Sequence, residues 1–253
     1  MILTPTRREL LQYAGLGLCL TQARRTVGQS LPFPGPGTMH SAGGGGGTMT
    51  FVQSQTMFSD ASSTTIPVSL TGVGAGNLIV VWAKWEGGAT TATASDGTSS
   101  LTMGTVGTHS NSDLSGVFGY LLSANSGART YTITLGATRS FTRMAVLEFS
   151  HTGTVTFDAQ NTGSGTSTTP TSGNITTTGG TGALALGGYG EYSGGTLSNS
   201  QINGVAADSL ISTPALSAVW YRILSAPFTA GHANVTLSGS GDWVCHILAL
   251  KTS

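Results

Sequence analysis

Two of the four glutamates in this chain, Glu86 and Glu191, stand in matching contexts. Glu86 follows Trp85 and precedes Gly87-Gly88, while Glu191 precedes Tyr192 and then Gly194-Gly195. A pair of carboxyl groups brought together from two such places is what glycoside hydrolysis uses, one as acid and the other as nucleophile or base. The plainer reading is that both carboxylates decorate solvent-exposed strand ends. The neighbouring aromatics carry a second possibility, because sugars present flat C–H faces that stack on exposed rings with a polar tip. Trp85, Tyr189 and Tyr192 are therefore the candidate ligand platform. Trp82 and Trp85 lie an odd number of residues apart, so on a strand they point to opposite faces, one to a core and one to solvent. Trp220 and Trp243 sit in strongly apolar runs and read as core.

Other chemistries find less support. His109, His151, His232 and His246 are isolated, and none is paired at the spacing of a zinc site. Cys245 and His246 are adjacent in an apolar run, so a strand points them apart and prevents a shared ligand or nucleophile-base role. Asn111-Ser112-Asp113 offers oxygen atoms from a loop but has no EF-hand spacing, and turn capping explains it. No Gly-x-Ser-x-Gly elbow occurs. Gly72-Val73-Gly74-Ala75-Gly76 joins two strand-like runs and no helix follows, so it reads as a loop and not as a phosphate cradle. The expectation is no metal and no cofactor.

The elements that must position these residues come in two similar sets, residues 51–150 and 157–251. Thr64-Thr65-Ile66-Pro67 returns as Thr168-Thr169-Pro170, and Asp96-Gly97 returns as Asn203-Gly204. Phe118 to Ser123 aligns on Trp220 to Ser225, and Thr130 to Leu135 on His232 to Leu237. A unit of about a hundred residues exceeds the period of solenoid repeats, so each copy must be a multi-stranded body. Period-two alternation is clear in Ile66, Val68 and Leu70, in Tyr131, Ile133 and Leu135, and in Ala233, Val235 and Leu237. Unbroken apolar runs at Leu78 to Ala83, Met144 to Phe149, Ala183 to Leu186 and Val244 to Leu250 mark central strands. Asp-Gly and Asn-Gly are the dipeptides of tight hairpin turns.

These signals predict an all-β fold, an antiparallel two-sheet β-sandwich of jelly-roll type built from two homologous halves over residues 48–253. Both halves are expected to contribute strands to shared sheets, since only Ser150 to Thr156 join them. Two tandem immunoglobulin-like sandwiches are the alternative.

Charged residues make up 8% of the 253-residue chain, and glycine supplies 38 of its residues. The charged share is about 25% in ordinary domains. Thr6-Arg7-Arg8-Glu9-Leu10-Leu11 ahead of a short apolar run resembles a twin-arginine export leader over residues 1–30. That run is near half the length of about 20 residues that a spanning helix needs, so no membrane span is expected. Residues 31–47, with Pro32, Pro34 and Pro36 followed by five glycines, read as a tethering linker. Past residue 30 there remain six basic and nine acidic side chains. Nucleic acid needs a basic stripe to release counterions from phosphate, and so is not an expected partner. One cysteine remains, Cys245, which leaves packing rather than a disulfide to stabilise the fold.

The Thr-Thr-x-Pro segment, the strand Gly76-Asn77-Leu78-Ile79-Val80-Val81 and the closing Asp242-Trp243 strand resemble duplicated β-sandwich modules of uncharacterised secreted bacterial proteins. The resemblance carries no catalytic residues and no ligand. It implies an exported protein, periplasmic, extracellular or at the cell surface. The expected function is a non-catalytic β-sandwich for adhesion, surface assembly or carbohydrate binding, with a polysaccharide or a cell-surface component as partner. A secreted glycan-active hydrolase using Glu86 and Glu191 is the first alternative. A structural subunit of an oligomer or filament is the second.

Overall fold

The computed structural model describes residues 47–192, 195–213 and 216–253. The expected leader and nearly all of the expected linker lie outside them. The described chain is all-β and its strand pairs are antiparallel. The first half contains β1 (Met49–Ser59), β2 (Ser63–Val73), β3 (Leu78–Glu86), β4 (Ala92–Ser95), β5 (Thr102–Met103), β6 (Gly107–His109), β7 (Leu114–Leu121) and β8 (Gly127–His151). The second half contains β9 (Val155–Ser167), β10 (Leu184–Glu191), β11 (Leu197–Ile202), β12 (Val205–Ala206), β13 (Ser209–Thr213), β14 (Ser217–Ile223), β15 (Ala233–Leu237) and β16 (Gly241–Thr252).

The long strand β8 organises the first half. Its leading part pairs with β2 and β4, and its trailing part pairs with β1 and β3. The strand turns a corner between these parts, where Phe141 takes a φ of 48°. One strand thus serves an outer sheet (β2, leading β8, β4) and an inner sheet ordered β1-β8-β3-β7, with β5 and β6 on β7. The second half has an inner sheet ordered β9-β16-β10-β14-β13 and an outer sheet of β11, β12 and β15. Here Ser238 to Ser240 interrupt β15 and β16, which take the places of the two parts of β8.

Hydrophobic burial explains why the halves stay together. Ile66, Val68, Leu70, Ile79, Val81, Trp85, Tyr131, Ile133 and Val146 fill the space between the sheets of the first half. Tyr189, Trp220, Val235, Leu237, Trp243, Cys245 and Ile247 fill the second. A third core lies between the two inner sheets and takes Leu78, Val80, Trp82, Leu147 and Phe149 from one half and Leu184, Leu186, Tyr221, Leu248 and Leu250 from the other. The layers therefore run outer, inner, inner, outer. An inner strand has a core on each face, which is why β3 is buried at every position and reads as an unbroken apolar run.

The sheets themselves are not shared. Among the described residues every strand pairs within its own half, so the jelly-roll expectation of mixed sheets is replaced by two sandwiches stacked face to face. In this respect the connectivity is nearer to the tandem alternative, with the difference that a full hydrophobic layer joins the two bodies. Across that layer β1 lies against β13, β8 against β14, β3 against β10, β7 against β16 and β6 against β9. Exchanging the strands that hold equivalent places in the two sheet orders reproduces these five contacts, while β7 also packs on β10 without an equally close counterpart between β14 and β3. The arrangement approximates an isologous interface with its dyad near β3 and β10.

Local chemistry fits this frame. Asn203 and Gly204 both have positive φ and join the paired residues Ile202 and Val205, the tight hairpin expected of an Asn-Gly pair. Asp96-Gly97 lies instead in a longer turn between Ser95 and Ser100, where the Asp96 carboxylate accepts the N–H groups of Thr98 and Ser99. The beginning and end of the described body meet at the connection between halves. The Thr48 N–H donates to Thr152 Oγ1, and the backbones of Thr154 and Ser253 exchange two hydrogen bonds.

At the centre of the inter-half layer Trp82 fills a notch left by Gly188. A Cβ on Gly188 would stand 2.5 Å from Trp82 Cε3. Gly188→Ala is expected to destabilise by about 1–3 kcal/mol in urea unfolding, the usual cost of overpacking. Gly180→Ala, where an added Cβ meets nothing within 4 Å, is the control and should fall within about 0.5 kcal/mol of wild type.

His246 sits in the same layer, its ring 4.9 Å from that of Trp82, and its Nε2 has no hydrogen-bond partner among the described residues. Burial pushes its pKa down to about 3 from the ordinary 6.5. Between those values the unfolded chain holds the extra proton and the folded chain does not. Stability from this site is therefore complete above about pH 6.5 and declines as pH falls toward 3, by up to roughly 5 kcal/mol. In His246→Leu the decline over that window should shrink, as measured by urea midpoints across a pH series.

Candidate functional site

The carboxylates expected to act together do not occupy equivalent positions. Leu78 pairs with Phe149 in one inner sheet, as Leu184 pairs with Leu250 in the other. Counting along the strands from those pairs sets Trp85 level with Glu191, and Glu86 level with Tyr192. The alignment by sequence is thus displaced by one residue. In a strand that displacement reverses the face. The same slip applies to β7 and β14, where Tyr120 is level with Tyr221 and Phe118 with Val219.

Glu86 accordingly continues the face of β3 that carries Trp82 and Lys84 toward the second half. Its Oε1 accepts a hydrogen bond from Lys84 Nζ at 2.6 Å, and the residue is 7% exposed. Lys84 is fully buried, with its chain over the Gly190 backbone, where an added Cβ would meet Lys84 Cγ at 2.5 Å. Desolvation holds the ammonium pKa below its usual value, against the opposing pull of Glu86. Arg143 flanks the pair and reaches Asp60 Oδ1 at 2.8 Å and the Ser59 carbonyl at 3.1 Å.

Glu191 points the other way, toward the core of the second half. It is 1% exposed, and its Oε2 accepts the Tyr189 hydroxyl at 2.6 Å while Oε1 accepts the Gly195 N–H at 2.9 Å. Burial raises its pKa, and the bonds from Tyr189 and Gly195 and the charge of Lys84 restrain the rise. The Tyr189 hydroxyl is pushed far above its ordinary range by burial and by its carboxylate acceptor.

The aromatic platform does not form. Trp85 is fully buried and gives its Nε1–H to the Gly88 carbonyl, and Tyr189 is buried within the second core. Sequence alternation correctly separates Trp82 and Trp85, but both faces of the inner sheet are cores, so neither ring reaches solvent. Tyr192 alone of the three presents its ring, at 50% exposure.

The remaining titratable groups of the described residues are held in separate places. Cys245 and His246 point to different cores, as adjacent strand residues must, and burial raises the thiol pKa. Asp113 takes a positive φ and its carbonyl accepts the Gly88 N–H, a turn role. Among the described residues no three His, Cys, Asp or Glu side chains converge as a metal cage requires.

Sequence reasoning passed over one polar feature. Glu148 is fully buried in β8 and accepts hydrogen bonds from Gln53 Nε2, the Gly74 N–H and Asn77 Nδ2, all within 2.7 Å. Gln53 also donates to the Thr71 carbonyl, so both amide hydrogens are engaged and bridge the edges of β1 and β2. A depression of about 160 Å3 lies over this bridge, lined by Gln53, Ser54, Gln55, Ser69, Leu70 and Thr71. The sequence signal was a glutamate inside an otherwise apolar run.

The fold and these groups define an all-β body of two stacked sandwiches whose ionisable groups are mostly tied into its own packing. No family model, no curated protein and no solved structure matches the chain.

The Lys84–Glu86 pair offers a direct measure of this structural role. Lys84→Met leaves a buried carboxylate without its cation and should cost roughly 3–5 kcal/mol. Adding Glu86→Leu should recover most of that loss. Chemical denaturation of the two single variants and the double variant reads the coupling.

Proposed function

We propose that this protein is a non-catalytic, exported β-sandwich that works by surface contact, in adhesion or surface assembly. The observation that carries the reading is the state of the two carboxyl groups. A glycosidase needs both of them flanking a substrate cleft, one holding a proton and the other free to attack or to activate water. Here Glu86 is neutralised by Lys84, Glu191 is bonded by Tyr189 and Gly195, and the two face different cores. Low charge and a surface rich in Thr, Ser and Gly agree with a body that meets other surfaces. The leader that resembles a twin-arginine signal supports export.

A second reading, recognition of a neutral glycan, draws on the depression between β1 and β2. Its lining is amide and hydroxyl with a single leucine, and the Gln53 amide is held in place by two acceptors. Such groups suit uncharged hydroxyl-bearing ligands, although no aromatic ring lines the depression.

The test uses the full chain against a panel of soluble and insoluble polysaccharides and whole bacterial surfaces, reading adsorption and reducing-sugar release together. Adsorption without sugar release is the expected outcome. Release that disappears in the Glu86→Gln, Glu191→Gln double variant would replace this reading with the hydrolase. Saturable binding of one neutral glycan that weakens at least tenfold in Thr71→Val would favour the second reading.

A further inference from the structure

Among the described residues two exposed apolar side chains, Val52 and Phe58, lie on β1, and a third, Phe141, adjoins its end. β1 is also an edge strand of its sheet, paired only with β8. From Ser54 to Phe58 its backbone makes no hydrogen bond beyond β8 among the described residues. An edge of this kind is a template for another strand, and proteins commonly guard it with lysine, proline or an inward-pointing charge.

β1 has none of these guards. Its sequence MTFVQSQTMFS contains no charged residue and no proline, and its one irregularity, the bulge at Val52, leaves the stretch after it regular. The strand in the equivalent place of the second half, β9, is treated differently. Asp158 is bonded to Thr178 and Gly179, and the Asn161 side chain accepts the Thr162 N–H while donating to the Asn174 carbonyl. The segment that follows β9 is thus stitched along its edge. Among the described residues the one side-chain stitch of this kind on β1 is Gln53 to Thr71, at its beginning.

We propose that the β1 edge pairs antiparallel with the β1 edge of a second copy of this chain, joining two inner sheets into one continuous sheet. The inference rests on the surface-contact reading and names one partner for it. A second copy is the occupant that fits because two-fold pairing sets a residue at the centre against its own counterpart. A charge at the centre would meet its like, and Gln55 there is uncharged, as is every residue from Met49 to Ser59. Centring the pairing on Gln55 places Val52 opposite Phe58 of the second copy, so the exposed apolar groups of the strand cover one another. Arg143, whose guanidinium lies 5.5 Å from the centre of the Phe58 ring, holds that ring at the edge.

The experiment is sedimentation equilibrium on the full chain from low micromolar to near-millimolar concentration. Wild type should show a concentration-dependent rise to twice the chain mass. Gln55→Lys and Gln55→Glu should each weaken the dimer at least tenfold while keeping the wild-type melting temperature, which separates lost pairing from lost folding. An equimolar mixture of the two variants should regain the dimer, because the centre then opposes unlike charges. A wild type that stays monomeric throughout, or a Gln55→Lys variant that associates as well as wild type, overturns the proposal. A monomer that still adsorbs to surfaces without releasing sugar would remove the edge pairing and leave the contact reading standing.

Discussion

The contact between the two inner sheets governs the rest of the molecule. Trp82 stands at its middle, with its indole against Gly188, near the Phe118 and His246 rings, and its Nε1–H donated to Ser217 Oγ at 3.0 Å. A tryptophan can cross from one sheet toward the other only because the facing strand, β10, lacks a side chain there. Around it, apolar groups from both halves turn two separately paired bodies into one. Once that layer closes, the central strands β3 and β10 have no wet face and cannot show the alternation that marks the outer strands. The composition of β3 and β10 is therefore a consequence of stacking as much as of strand propensity.

The same constraint shapes the electrostatics. Lys84 and Glu86 lie on the face of β3 that meets the other half, so their charges must satisfy one another. Glu191 lies on the opposite kind of face and is satisfied by a tyrosine hydroxyl and a backbone N–H. Glu148, deeper in β8, is satisfied by two amides and a backbone N–H. These three buried carboxyls find three sets of donors: Glu86 and Glu191 are met from two residues back on their own strands, by Lys84 and Tyr189, and Glu148 is met from β1 and from the turn between β2 and β3. Buried groups of this kind cost stability when separated from their partners and contribute little when intact.

Much of the fold was legible in the chain. Alternation at Ile66, Val68 and Leu70, and again at Tyr131, Ile133 and Leu135, located strands with one buried face, and the apolar runs at Leu78 and Val244 located strands with two. Asn203-Gly204 gave its hairpin because its two positive φ values are a local demand. What could not be read was which strands share a sheet, because antiparallel pairing leaves the same alternation whether the partner comes from the same half or the other. The site was less legible for a sharper reason. Placing Glu86 level with Glu191 required register to within one residue across a region of glycines, and a slip of one inverts every side chain. Trp85 and Tyr189 looked available for a ligand because an alternating strand usually has a wet face, and here a second core occupies that face. Glu148 was hidden inside an apolar run, since nothing in the sequence announced that Gln53, Gly74 and Asn77 would converge on it.

The meeting of Thr48, Thr152 and Ser253 makes the order of the two halves along the chain a matter of indifference to the packing. The connection at Gly153 and the ends of the described body occupy one corner, bound to each other through Thr154 and Ser253. Linking Ser253 to Thr48 by a short bridge and opening the chain at Gly153 would give a circular permutant with the halves reversed and every strand pairing kept. In such a body covalent order and three-dimensional order are independent, and the hydrophobic layer, not the peptide between the halves, is what makes them one.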